Sequence, residues 1–106
     1  MATGSPGLRW IDCNSRIGTW SNPRPEQFMD VSGLTAAWDR VGIEGGLTGH
    51  AWAWEWSPAR GNEMLLDEIA ADPRIRPCFV ALPHATREIE PALEFARTVR
   101  QARGAV

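Results

Sequence analysis

Four side chains in this sequence could bind or turn over a small molecule, and each falls where a strand-like run ends. Asn14 and Arg16 close the run that begins near Leu8, His50 closes a run over 43–51, and His84 follows a run over 75–82. An arginine is always charged and presents a planar fork that matches a carboxylate. An asparagine beside it offers an amide donor and acceptor. Histidine changes charge near neutral pH and can act as general acid or base. These types predict substrate-binding roles for Asn14 and Arg16, and catalytic roles for His50 and His84. Together they would make an anion pocket. The bland alternatives are a loop-closing, hydrogen-bonded role for each histidine, and for Arg16 an ion pair with Asp12 or Glu55. Trp52 joins the substrate-binding set because Ala51–Trp56 alternates strictly. If extended, that run puts Trp52, Trp54 and Trp56 on one face. They would form either a stacking platform for a sugar or aromatic substrate, or a wall packed against the loop around Trp20.

Other chemistries find less support. A catalytic zinc needs three protein ligands and an open position. The chain has two histidines, and Asp12 or Glu55 would have to supply the third ligand. Arg16 would bring a repelling charge to the same region. No metal is therefore expected on this chain. Cys13 and Cys78 both lie in strand-like runs and read as free buried thiols. There is no Gly-x-Ser-x-Gly element. The glycine-rich stretch 42–49 lacks both the Lys-Ser/Thr of a phosphate loop and a dinucleotide fingerprint.

The elements that must position these residues can be read from periodicity. The run over 8–17 is bounded by Gly7 and Gly18 and contains β-branched residues, which predicts a strand. Alternation would put Trp10, Asp12, Asn14 and Arg16 on one face and Ile11, Cys13, Ser15 and Ile17 on the other, apolar one. Residues 19–25, with Ser21, Asn22, Pro23 and Pro25, predict a loop. Leu34, Ala37, Trp38 and Val41 recur at helical spacing, with Ser32 as the expected N-cap and Gly42 as the stop. The second strand, 43–51, is weakened by Gly45, Gly46 and Gly49. Asn62 is the expected cap of a helix from Glu63, which Asp72-Pro73 stops. Ile75–Leu82 is a continuous apolar strand of the kind that parallel sheets bury. A last helix begins near Glu90 with Pro91 in its first turn, and Gly104 ends it. Strand ends recur about every 35 residues, a βα-unit length. The reading is α/β, a parallel βαβαβα arrangement with helices outside the sheet. The expected core is Ile11, Leu34, Trp38, Val41, Leu65, Leu66, Ile69, Phe79, Val80, Leu82, Phe95 and Val99.

Ile11-Asp12-Cys13-Asn14-Ser15-Arg16-Ile17-Gly18 resembles the first-strand motif of the metal-dependent amidohydrolase-related barrels, strand residues followed by Asp-x-His-x-His, an apolar residue and Gly. Asp12 and Gly18 match, while the two histidines are replaced by Asn14 and Arg16. The resemblance continues through His50-Ala51, Gly61-Asn62, Leu65-Leu66, Asp72-Pro73-Arg74-Ile75-Arg76-Pro77 and Leu82-Pro83-His84, and covers about residues 8–106. It implies the first three units of an incomplete (β/α)₈ TIM barrel, with Gly104-Ala105-Val106 entering a fourth strand. It also implies a hydrolase acting on a small polar or carboxylate-bearing substrate at a C–N, C–O or carboxyl-bearing C–C bond. A divalent metal such as zinc would be expected only in a full-length homologue.

Length and charge set the outer limits. A complete barrel needs roughly 200–250 residues, and this chain has 106. Its formal net charge is −2, with eleven arginines and no lysine. Those arginines are scattered, so neither nucleic acid nor a membrane surface is an expected partner. Residues 1–7 read as a flexible tail without the features of a signal peptide, and a cytoplasmic location is expected. Three parallel strands leave open edges, so pairing with the remaining barrel strands or self-association is expected. The alternative to an enzyme is a non-catalytic truncated barrel or interaction module.

Overall fold

The computed structural model describes residues 7–70, 72–81 and 92–106. The elements in chain order are β1 (Trp10–Ile17), α1 (Val31–Val41), β2 (Ile43–His50), α2 (Ala51–Glu55), α3 (Pro58–Ile69), β3 (Ile75–Pro77) and α4 (Ala92–Gln101). The three strands form one parallel sheet in the order β1-β2-β3. The α/β class and the three parallel strands thus agree with the periodicity.

One face of the sheet is the core. Ile17 and Ile75 from the strands meet Leu34 and Trp38 of α1 and Leu65 and Ile69 of α3, which places both helices on the same side. The rows facing them, Ser15–Thr48–Pro77 and Ile17–His50, are buried. The opposite face exposes Ile11, Arg16 and Arg76. Ile11 is 62% exposed and Val41 55%, so neither belongs to the core, while Ile17 and Ile75 do. Leu66, Val80, Phe95 and Val99 are half-buried, and Leu82 lies outside the described residues. Phe79 is buried and stacks edge-on against Phe95, their centroids 6.1 Å apart, which ties α4 to the end of β3.

One irregularity overturns the simple alternation in β1. Asp12 pairs with Gly46 and Ser15 with Thr48, so β1 carries one extra residue there. A bulge of this kind shifts every later side chain to the other face. Asp12 therefore shares the core side with Ser15 and Ile17 and reaches Trp38, while Arg16 pairs with Gly49 on the open side. Asp12 and Arg16 do not share a face.

The helix starts also differ from expectation. Asp30, not Ser32, caps α1: its carboxylate accepts from the Gly33 N–H at 2.8 Å. Gly42 does end that helix, in a left-handed conformation. Ala51–Glu55 is helix α2 rather than strand, because the His50 ring caps it as β2 ends. Its C-terminal turn runs directly into the Ser57 cap of α3, whose hydroxyl accepts from Arg60 N–H. α3 begins at Pro58, so Asn62 is not a cap but a buried residue inside it. Gly61 lets α2 press against α3, since a Cβ there would sit 2.1 Å from the Ala53 nitrogen.

Asn62 explains why β3 is shorter than the apolar run. Its side chain accepts from the Val80 N–H and donates to the Val80 carbonyl, both at 3.0 Å. Val80's backbone is thus satisfied by a helix side chain, not by a strand ladder. Before that point, the Cys78 N–H donates to Thr48 O on one side; on the other the Phe79 N–H donates to Ala105 O and the Ala105 N–H donates to Pro77 O. Ala105 thereby adds a parallel bridge at the outer edge of β3. α4 ends at Gln101, and the left-handed residue after it is Arg103 (φ 56°), not Gly104. The expected start near Glu90 and Pro91 lies outside the described residues.

Candidate functional site

β1 and β2 end side by side, with Ile17 opposite His50. This rim carries the chemistry. β1 delivers Arg16 to the open face of the sheet. Gly18 then turns the chain, at φ 102°, over the His50 imidazole. A Cβ on Gly18 would lie 2.7 Å from His50 Cε1, so the close crossing needs glycine. The loop that follows brings Trp20 back towards Arg16. From the other side α2 begins at once after β2 and presents Trp54. The Arg16 Cζ sits 4.8 Å from the Trp54 ring centroid and 5.7 Å from that of Trp20. Both distances are within the range of cation–π attraction.

The loop and α2 are joined by Glu55, whose carboxylate accepts from both the N–H and the hydroxyl of Ser21. Asp12 is likewise engaged: it accepts from the Asn14 N–H at 3.0 Å and from Trp38 Nε1 at 3.3 Å. Burial pushes its carboxyl upward. The Asn14 backbone N–H, the Ser15 hydroxyl and the Trp38 indole outweigh that and hold it below the usual carboxylate range. The two carboxylates that could have neutralised Arg16 therefore have other partners. Among the described residues no acidic side chain forms an ion pair with Arg16.

Asn14 and Arg16 line one cavity of about 220 Å³ together with Asp12, Trp20, Glu26 and Gln27. The amide and the guanidinium thus border the same cavity. His50 has a different setting. Its ring is 1% exposed, and its Nδ1 accepts from the Trp52 N–H at 3.1 Å while Nε2 lies 3.1 Å from Glu68 Oε2. Trp52 is partly exposed and packs on Trp56, centroids 5.9 Å apart, rather than on Arg16. His84 lies outside the described residues. The residues that periodicity missed are Trp20 and Trp54 as the clamp on Arg16. Two positions along a helix are about 200° apart and four are about 40°. The helix therefore pairs Trp52 with Trp56 and turns Trp54 the other way. The signal for this was His50, a side-chain acceptor in extended backbone just before the alternating run.

Positions 14 and 16 carry an amide and a guanidinium, the latter against two indole rings. Among the described residues no three His, Cys, Asp or Glu side chains converge as a metal would require. No helix among them is long and apolar enough to cross a membrane. Compared with family models, curated proteins and solved structures, the chain matches none of them.

Proposed function

We propose that this chain is part of an amidohydrolase-like barrel whose rim binds a small, carboxylate-bearing substrate through Arg16. The observation that carries the reading is the state of Arg16. It sits against two indole rings, and among the described residues no carboxylate forms an ion pair with it, those of Asp12 and Glu26 lying on the same cavity without reaching it. Cation–π contacts use the face of the guanidinium and leave its N–H edges able to donate. A carboxylate arriving at those edges would form a charge-assisted, bidentate contact. Asn14, on the same cavity, would orient the remainder of the ligand.

The barrel part of the proposal rests on strand order. Consecutive parallel strands with α1 and α3 on one face are wound in a single direction, as a closing barrel requires. The Ala105 bridge extends that order past β3. A substrate site at the carboxyl ends of the strands fits the same architecture. In this reading Arg16 supplies the positive charge that a metal supplies in the resembled enzymes. Fold analogy alone does not specify a reaction, so the testable core is carboxylate binding. Titration calorimetry with propionate should give saturable binding to the wild type and at least about tenfold weaker binding to Arg16→Met. Stoichiometric zinc in the purified protein, or equal propionate affinity in the two forms, would sink the reading.

A second reading is an interaction module, favoured by the exposed Ile11, Trp10 and Leu8 along β1. Open strand edges with apolar side chains promote association. Sedimentation at micromolar concentration should then show oligomers, and a monodisperse monomer would rule it out.

A further inference from the structure

We propose that His50 is a positioning residue for the carboxylate site: its neutral imidazole holds Trp54 against Arg16, and protonation releases Trp54 and weakens binding. The inference rests on the reading of Arg16 as a carboxylate receptor. It begins with the length of α2. Five residues cannot sustain a helix alone, since nucleation is unfavourable and propagation is too short to offset it. α2 is held from outside, by the close crossing at Gly61 and by the bond from the Trp52 N–H to His50 Nδ1. The second of these is an N-cap made by an imidazole instead of the usual hydroxyl or carboxylate.

An imidazole accepts a hydrogen bond at Nδ1 only when that nitrogen carries no proton. The geometry therefore assigns the neutral tautomer with its proton on Nε2, which lies 3.1 Å from Glu68 Oε2 but makes no hydrogen bond among the described residues. A second proton must go to Nδ1. It would then point at the Trp52 N–H, two donors facing each other, and the cap would be lost. The other side of the ring tolerates the change. Glu68 from α3 is the one charged group within ion-pair distance of the ring among the described residues, and it would stabilise the imidazolium. Of the other charged groups nearby, Arg16 belongs to the opposite face of the sheet, and Glu55 of α2 is bound to Ser21. β1 contributes only the Gly18 backbone above the ring. The ring is 1% exposed and cannot swing away into solvent without moving Gly18. The first turn of α2 therefore loses one of its two outside supports and keeps only the crossing of Ala53 over Gly61. Trp54 lies in that helix, 4.8 Å from Arg16 Cζ. When the turn loosens, the guanidinium loses its nearer aromatic wall and the fixed orientation that carboxylate binding uses.

The test follows propionate affinity and tryptophan emission between about pH 8 and about pH 5.5, the range in which imidazoles change charge while the ligand stays ionised. In the wild type, affinity should fall about tenfold as pH drops, with a parallel change in emission. In His50→Asn the amide oxygen can still cap α2 and does not titrate, so both signals should become independent of pH. Glu68→Gln serves if His50→Asn fails to fold. Loss of the carboxylate should move the midpoint of both transitions to lower pH. A flat wild-type profile, a pH-dependent His50→Asn, or an unmoved midpoint in Glu68→Gln would overturn the proposal. Absence of propionate binding at about pH 8 would instead be a failure of the carboxylate reading. The emission change would still report on the cap.

Discussion

Arg16 and Arg74 stand at opposite ends of the sheet and are held in opposite ways. Arg74, just before β3, donates to Asp39 at 2.7 Å and to Asp72 at 3.4 Å. Those hydrogen bonds, first the one to Asp39 and then that to Asp72, raise its already high pKa further. Its charge is spent on tying the α1 surface to the turn before β3. Arg16 is held by indole rings, which fix its place without neutralising it. An arginine built for structure consumes its N–H donors on carboxylates, whereas an arginine presented for a ligand is kept in position by groups that leave the donors unused. The contrast also separates the two rims. Two ion pairs, Arg9–Glu44 and Arg74–Asp39, lie at the amino end of the strands, and the aromatic clamp is at the carboxyl end.

The comparison can be broken most severely through the turn that builds the aromatic rim. Gly18→Ala must place a methyl 2.7 Å from the His50 ring at a positive φ. A loss of about 2–3 kcal/mol is expected in denaturant unfolding, from strain and the steric conflict combined. A loss below about 0.5 kcal/mol would mean that the crossing over His50 is looser than the structure has it.

Thr48→Val sharpens the picture of the buried row between the two rims. Thr48 is fully buried, and among the described residues its hydroxyl has no hydrogen-bond partner. Replacing it with a methyl of the same shape should stabilise the protein by about 1 kcal/mol, seen as a higher midpoint at an unchanged m-value. Destabilisation would point to a bond that the Thr48 hydroxyl makes in solution.

The two arginines themselves should differ in smaller but opposite ways. Arg74→Met should cost up to about 1 kcal/mol of stability, because the pair is partly exposed and screened. Arg16→Met should change stability by less than about 0.5 kcal/mol while weakening carboxylate binding. Equal stability losses in the two variants would erase the distinction between structural and presented arginine.

Asp12 gives the pH test. Its folded-state pKa lies below its ordinary value of 3.8. A depressed pKa contributes stability that is present above the unfolded value and lost as pH falls through the folded one. The wild type should therefore lose stability below about pH 4. Asp12→Asn should show a shallower loss over that window, measured by unfolding at a series of pH values. An identical slope would mean that the Trp38 and Asn14 contacts do not favour the charged form.

Much of the scaffold was legible because its signals are local. The stripe Leu34, Trp38 with Gly42 behind it specifies α1, and the parallel class followed from strand-like runs separated by helical ones. The pairing of Asn14 with Arg16 was legible for the same reason, being two residues apart on one strand. The rest depended on partners distant in sequence. Alternation assigned Asp12 and Arg16 to one face, but the bulge between Asp12 and Ser15 arises from pairing with β2 and separates them. Alternation also put Trp52, Trp54 and Trp56 on one face if Ala51–Trp56 were extended, because period two is visible in the residue types and the His50 cap is not. The end of β3 was misjudged because Asn62, eighteen residues earlier, takes the Val80 backbone.

The sequence by itself determined which side chains could carry charge to the strand ends, and it determined the order of strands and helices. Hydrophobic period and turn chemistry act over a few residues, and those are written along the chain. Only the tertiary structure decided that Arg16 would be clamped by Trp20 and Trp54 and left without Asp12 or Glu55 among its contacts. That outcome depends on a register shift of one residue, a five-residue helix capped by a buried ring, and a glycine thin enough to cross it. Each is a competition between contacts far apart in the chain, and such competitions are resolved only when the sheet and helices pack.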